Sequence, residues 1–167
     1  MTPAEVIAEL GLVPHPAEGG YFVETYRSDE YIGSGALPDR YEGDRAHGTS
    51  IYYLLTPDSF SAMHSLQSDE VFHFYLGDPV EMLHLWPDGS GTVPTLGNDI
   101  MRGMKPQIVV PRGVWQGARL RAGGAFALMG TTVAPGFDFA DFEHGQREDL
   151  IKNYPDHEAM ITALTRV

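Results

Sequence analysis

Apolar and polar residues alternate in short runs along most of the chain, and side chains that alternate in this way belong to half-buried strands. Runs rich in Tyr, Phe, Val and Ile predict strands over 21–27, 49–55, 59–64, 70–76, 80–86, 107–110, 115–121 and 125–133. Turn chemistry separates them: Thr56-Pro57-Asp58, Gly77-Asp78-Pro79, Pro87-Asp88-Gly89 and Gly123-Gly124. Helical signals sit only at the ends. Thr2 can cap a first helix with Pro3 at its first position, Val6, Ile7 and Leu10 give it an apolar stripe, and Gly11 can stop it. Pro155 can open a second helix running to Val167. The polar stretch 28–48 reads as a long loop, and 138–158 as an acidic, solvated segment. Many short strands with a helix at each end predict an all-β antiparallel barrel or jelly roll, whose mouth is where a pocket forms.

Strand parity then says which side chains meet. Phe60, Ala62 and His64 share one face of their strand, and Glu70, Phe72 and Phe74 share one face of the next. If both faces are interior, His64 and Glu70 meet in the cavity at the end of the hairpin. His73 is a third candidate catalytic group, but by parity it points away unless a bulge re-aims it. Over 21–27, Tyr21, Val23, Thr25 and Arg27 share a face opposite to Phe22, Glu24 and Tyr26. Tyr21 and Arg27 therefore rank as ligand-binding candidates above Glu24, whose bland reading is a surface ion pair. An arginine there would suit a ligand carboxylate, hydroxyl or phosphate.

The 167 residues, 43% apolar and 20% charged, suit one domain, with barrel core at about 20–135 between the terminal helical segments. Cysteine is absent, which removes disulfides, thiolate nucleophiles and Cys-based zinc sites. No apolar run is long enough to span a bilayer, and the acidic N-terminus lacks the basic start of a secretory signal, so a cytoplasmic address is expected. The net charge of −12 is repelled by phosphate backbones and anionic lipid, so neither nucleic acid nor membrane is expected as a partner. The Gly pairs at 19–20 and 123–124 lack the Lys and helix of a phosphate loop. Asp138, Asp141 and Glu143 lack the spacing of a calcium loop and read as solvated acids.

The spacing His64-x-Leu66-x3-Glu70-x6-Gly77 resembles the first motif of the cupin superfamily, and Pro111-Arg112-Gly113-Val114-Trp115-Gln116 resembles the second, with Gln in place of His. Longer phrases resemble the DUF985, or cupin-5, group. They are His15-Pro-Ala-Glu-Gly19-Gly20-Tyr21-Phe22, Thr49-Ser-Ile-Tyr52, Asp69-Glu70-Val-Phe-His73, Pro106-Gln107 through Ala118, and Thr132-Val-Ala-Pro135-Gly136-Phe137-Asp138-Phe139. They run from about residue 4 to residue 155. The resemblance implies a double-stranded β-helix, commonly paired as a homodimer, and a depleted metal-ligand set of His64, Glu70 and Gln116 for Ni, Fe, Mn or Zn. Gln116 would then face the cavity, and Trp115 the core or an interface. It implies no agreed reaction.

Three functions remain open. An acid–base enzyme of isomerase or epimerase type would use His64 and Glu70 on a small carbohydrate-like or carboxylated substrate. A metal-dependent enzyme and a non-catalytic metabolite-binding module are the alternatives. Phe137, Phe139 and Phe142 are expected to dock onto the barrel or onto a second subunit.

Overall fold

Thr2 and Glu5 start the first helix reciprocally. The Glu5 N–H donates to the Thr2 hydroxyl at 3.2 Å and the Thr2 N–H donates to the Glu5 carboxylate at 2.7 Å. Helix α1 spans Pro3–Leu10 and ends at Gly11, whose φ of 65° favours glycine. The computed structural model describes residues 1–167. After α1 come strands β1 (Val13–Pro14), β2 (Tyr21–Arg27), β3 (Tyr31–Ile32), β4 (Arg45–Ala46), β5 (Thr49–Leu55), β6 (Phe60–Ser65) and β7 (Asp69–Gly77). Then follow β8 (Val80–Leu85), β9 (Gly91–Thr92), β10 (Thr95–Leu96), β11 (Gln107–Val110), β12 (Trp115–Leu120), β13 (Ala127–Ala134) and β14 (Glu143–His144). Helices α2 (Arg147–Asn153) and α3 (Glu158–Ala163) close the chain.

Two antiparallel six-stranded sheets face each other. One runs β1-β2-β5-β13-β7-β11, and the other runs β10-β8-β12-β6-β14 with β9 beside β8. Each of the eight runs of alternation in the sequence contributes a long strand. The main core lies between the sheets, where Tyr53, Phe72, Val80, Met82, Ala118, Leu120, Ala127 and Met129 interdigitate. The second sheet is also buried on its outer face: Met63, Leu83 and Leu85 pack against Leu150, Tyr154, Ile161 and Leu164 of the C-terminal segment, with Trp115 beside them. The first sheet is covered on its outer face only at one corner, where α1 brings Val6 against Leu54, Phe126 and Leu128. No helix is long and apolar enough to cross a membrane.

Three segments differ from expectation. The loop at 28–48 carries the small β3–β4 hairpin, and α2 falls inside the stretch read as solvated acid. Asp141 is not solvated: it is 5% exposed, because Arg45 grips it with two hydrogen bonds of 2.8 and 2.9 Å. The helix expected from Pro155 to Val167 is a 3-10 turn over Pro155–His157 followed by the shorter α3.

Candidate functional site

Three strands bring His64, Glu70 and Gln116 together. On β6, Ser61 and His64 turn inward while Phe60 and Met63 turn out, because the pairing with β12 slips by one residue between Ser61 and His64. The face expected to hold Phe60, Ala62 and His64 together is broken there, and Gln116 on β12 stands directly opposite His64. Glu70 enters from the facing sheet, where β7 pairs it with Val110 and Val133. The Gln116 amide donates to Glu70 Oε1 at 3.0 Å, closing the gap between the sheets. His64 and Glu70 both line a cavity of about 320 Å³, within the ~300–1,000 Å³ of small-molecule pockets. Its wall continues through His15, Glu18, Phe22, Glu24, Arg27 and Thr131, and Phe137, Phe139 and Phe142 stand at its rim.

Tyr21, Glu24 and Arg27 do not follow simple alternation. The pairing of β2 with β5 slips between Glu24 and Tyr26, so Thr25 is a bulged residue and the parity reverses beyond it. Glu24 and Arg27 therefore both face the cavity, and they face each other: Arg27 Nε and Nη2 donate to the two Glu24 oxygens at 2.8 and 3.0 Å. Tyr21 lies on the other face of β2, packed beneath α1 with Val6, Leu12 and Leu54, and is not part of the cavity. His73 is also outside it. Its ring stacks beside Tyr75, its Nε2 sits 3.2 Å from the Thr132 hydroxyl, and its Nδ1 accepts from the Gln107 amide at 3.3 Å, on the outer face of the first sheet. The only bulge in the β7–β13 pairing comes beyond His73, too late to turn it inward.

Two site residues escaped the strand reading because they sit in a loop with no period. His15 and Glu18 occupy the turn between β1 and β2, which the chain staples from several sides. The His15 N–H donates to the Gly20 carbonyl at 2.9 Å, His15 Nδ1 accepts the Glu18 N–H at 2.9 Å, and the Ala62 N–H donates to the Glu18 carbonyl at 2.9 Å. Gly19 and Gly20 take φ values of 101° and 72°, and the buried Tyr53 hydroxyl donates to the Gly19 carbonyl at 2.6 Å. The Glu18 side chain is thereby turned into the barrel, where the Ser61 hydroxyl donates to Oε1. Its Oε2 lies 3.8 Å from His15 Nε2 and 3.9 Å from His64 Nε2. The visible signal was two titratable residues three apart before a Gly pair.

Hydrogen bonds fix both imidazoles in one tautomer. His64 Nδ1 lies 2.7 Å from the Ala62 carbonyl and donates to it, so Nε2 carries the lone pair into the cavity. His15 Nδ1 accepts backbone N–H bonds, so its proton is on Nε2. Phe142 stacks on the His64 ring at 4.9 Å and 12°. Phe142 belongs to a strap, residues 136–142, that crosses the cavity mouth. The Phe137 N–H donates to the Thr49 hydroxyl at 2.9 Å, its carbonyl accepts from Arg27 at 3.1 Å, and the Arg45–Asp141 pair clamps the far end.

Burial sets the charge states. It lowers the pKa of His64 and of His15 below the ordinary imidazole value, so both are neutral at pH 7. Burial raises the Glu18 carboxyl. Burial and the neighbouring Glu18 charge raise Glu70 from 4.5 to about 7. A neutral acid and a bare imidazole thus share one chamber.

The donor set falls short of a transition-metal site. No three His, Asp or Glu side chains converge where an ion would sit. Leu66 lines the cavity at a position that would need a ligand, and Gln116 turns its amide N–H to Glu70. His84, opposite Gln116 on β8, is buried with Nε2 unpartnered, but it does not line the cavity.

Residues 4–145 match the family described as Cupin superfamily (DUF985). The uncharacterized protein YML079W of Saccharomyces cerevisiae is 32% identical over 157 residues, 89% of this chain and 78% of that protein. The solved structure of protein SO0799 from Shewanella oneidensis superposes with a TM-score of 0.87 at 34% identity, over 99% of this chain and 98% of that one. A hypothetical protein from Leishmania major gives 0.89 at 32% identity over 100% of both chains. With the double-stranded β-helix and the matched residues agreeing, the chain belongs to the DUF985 family of the cupin superfamily.

Proposed function

We propose that the cavity performs acid–base chemistry of the isomerase or epimerase type on a small, carbohydrate-like molecule bearing hydroxyl and carbonyl groups. One observation carries this reading: His64 presents an unprotonated Nε2 to the same chamber as Glu70, a carboxyl that keeps its proton near neutrality. His64 takes a proton from the carbon beside the carbonyl, while Glu70 donates to the carbonyl oxygen, which becomes an enol hydroxyl. His64 then gives its proton to the neighbouring carbon while Glu70 recovers one from the enediol hydroxyl, which yields the isomer and returns both side chains to their starting states; an epimer forms where the enol is reprotonated on its other face. Gln116 holds Glu70 in place, and the stacked Phe142 keeps the His64 ring in plane. A carboxylated substrate fits less well, because Arg27 already has Glu24 as its anion.

The test is a panel of keto sugars, aldoses and uronates incubated with the protein in deuterated water. At least one panel member should gain deuterium at the carbon next to its carbonyl, and His64→Ala should slow that exchange by about 100-fold or more. Binding without exchange in any member would make the cavity a metabolite-binding module instead. We also propose that the chain works as a homodimer.

A further inference from the structure

The charges around the cavity do not cancel. Four carboxyls line it, Glu18, Glu24, Glu70 and Asp138, against a single cation, Arg27. Glu24 takes both the Nε and the Nη2 of Arg27, so that pair is closed. Asp138 accepts the Ala140 N–H at 2.8 Å and lies 4.0 Å from the Arg45 guanidinium. Glu18 and Glu70 are left facing neutral imidazoles: Arg166 reaches Glu18 only at its backbone carbonyl, at 3.2 Å, and no cation forms an ion pair with either carboxyl. Any negative charge they carry is unbalanced in a chamber of low dielectric.

The hydrogen-bonding character points the same way. His64, 1% exposed, aims Nε2 into the cavity, and no group of the chain donates to it; Glu18 Oε2 stands beside it at 3.9 Å. These are acceptors, and they call for a ligand rich in donors. The wall also carries Phe22 and Phe139, whose rings add aromatic surface beside the Phe142 ring stacked on His64, and aromatic rings attract cations. A chain of net charge −12 draws cations and repels anions at long range. A bare metal ion would lack a converging donor set.

We propose that the ligand of this cavity carries a positively charged nitrogen: a small organic ammonium ion, its charge toward Glu18 and its body against Phe22, Phe139 and Phe142. The inference rests on the proposed function only in taking this cavity as the substrate's seat. An ammonium group supplies N–H donors and no acceptor, which matches the wall. An anion of the same shape meets two buried carboxyls and an arginine already engaged.

Binding to the full chain is measured by calorimetry at neutral pH for two matched series: glucosamine, glucose and glucuronate; and benzylammonium, benzyl alcohol and benzoate. In at least one series the cation should bind about tenfold or more tighter than its neutral analogue, with the anion weakest. The double variant Glu18→Gln/Glu70→Gln should bring the cation to the level of the neutral analogue. If that variant does not fold, Phe139→Ala at the exposed rim should weaken the cation about threefold and leave the neutral analogue unchanged. Anions binding as tightly as cations, a preference that survives the variants, or no ammonium binding at about 10 mM would each overturn the proposal. Deuterium exchange without cation preference ends this inference and leaves the acid–base reading standing; cation binding without exchange does the reverse.

Discussion

A carboxyl sealed in a barrel with no cation beside it resists ionisation, and Glu70 is such a group. In the folded chain it keeps its proton to about pH 7; in the unfolded chain it releases it near 4.5. Between those values the folded state binds the extra proton, so stability falls as pH rises through the window. Glu70→Gln removes that dependence while the amide oxygen still accepts from Gln116. The variant should match the wild type near pH 4.5 and exceed it above pH 7, by on the order of 3 kcal/mol at most. Urea unfolding at pH 5 and pH 8 measures this, and an equal difference at both pH values would refute it. The same carboxyl should shape catalysis in the same direction. As the acid, Glu70 must be protonated, so kcat/KM for an exchanging substrate should fall as pH rises through about 7. Its acid limb should lie below the ordinary imidazole range, because His64 must be neutral and burial lowers it.

At the scale of elements, what was legible in the sequence is what has a period. On β6 the pairing with β12 slips by one residue between Ser61 and His64, so His64 reaches the chamber while Phe60, of the same parity, packs on the outer face; β7 keeps its alternation through Glu70, Phe72 and Phe74. β2 does not, because a bulge at Thr25 reverses the faces, and nothing in Tyr21–Arg27 marks Thr25 as the extra residue. That slip parted Arg27 from the face of Tyr21 and put it beside Glu24, on the cavity side. His15 and Glu18 were illegible for another reason: a loop held by long-range backbone bonds has no pattern to read. Asp141 failed likewise, since its partner Arg45 is 96 residues away. This last pair carries a prediction about the strap. Arg45→Met leaves the Asp141 charge buried and unpaired, which should destabilise the chain by about 3–5 kcal/mol; adding Asp141→Leu should recover part of the loss. Limited proteolysis should cut within 136–142 faster in the single variant than in the double. Equal cutting in wild type and single variant would mean that Arg45 does not hold the strap.

At the scale of the molecule, the two sheets are treated unequally. The chain covers the outer face of the second with its own C-terminal helices, but leaves most of the first open beyond the corner under α1. That open face is not a solvated one in composition. Tyr26, Tyr75 and Val109 are 56%, 48% and 53% exposed there, with Tyr52, Val71 and His73 half-buried between them. Tyr75 lies across Gly130, where a Cβ would collide with its ring, and meets Tyr52 edge-on at 5.9 Å, so its ring is held against the sheet. Phe137, Phe139 and Phe142 are engaged at the cavity rim and are not free to make this contact. The proposed homodimer would pair two copies through this face, with each patch set against its own counterpart about a two-fold axis. Sedimentation at micromolar concentration should then show a species of twice the 18.4 kDa chain mass. The double variant Tyr75→Lys/Val109→Lys, which places like charges across the axis, should show the single chain with its circular dichroism unchanged. Because the cavity opens at the strap and not through this face, the monomer should keep its ligand affinity. A wild type that sediments as one chain would end the dimer, and a variant that stays paired would move the interface elsewhere.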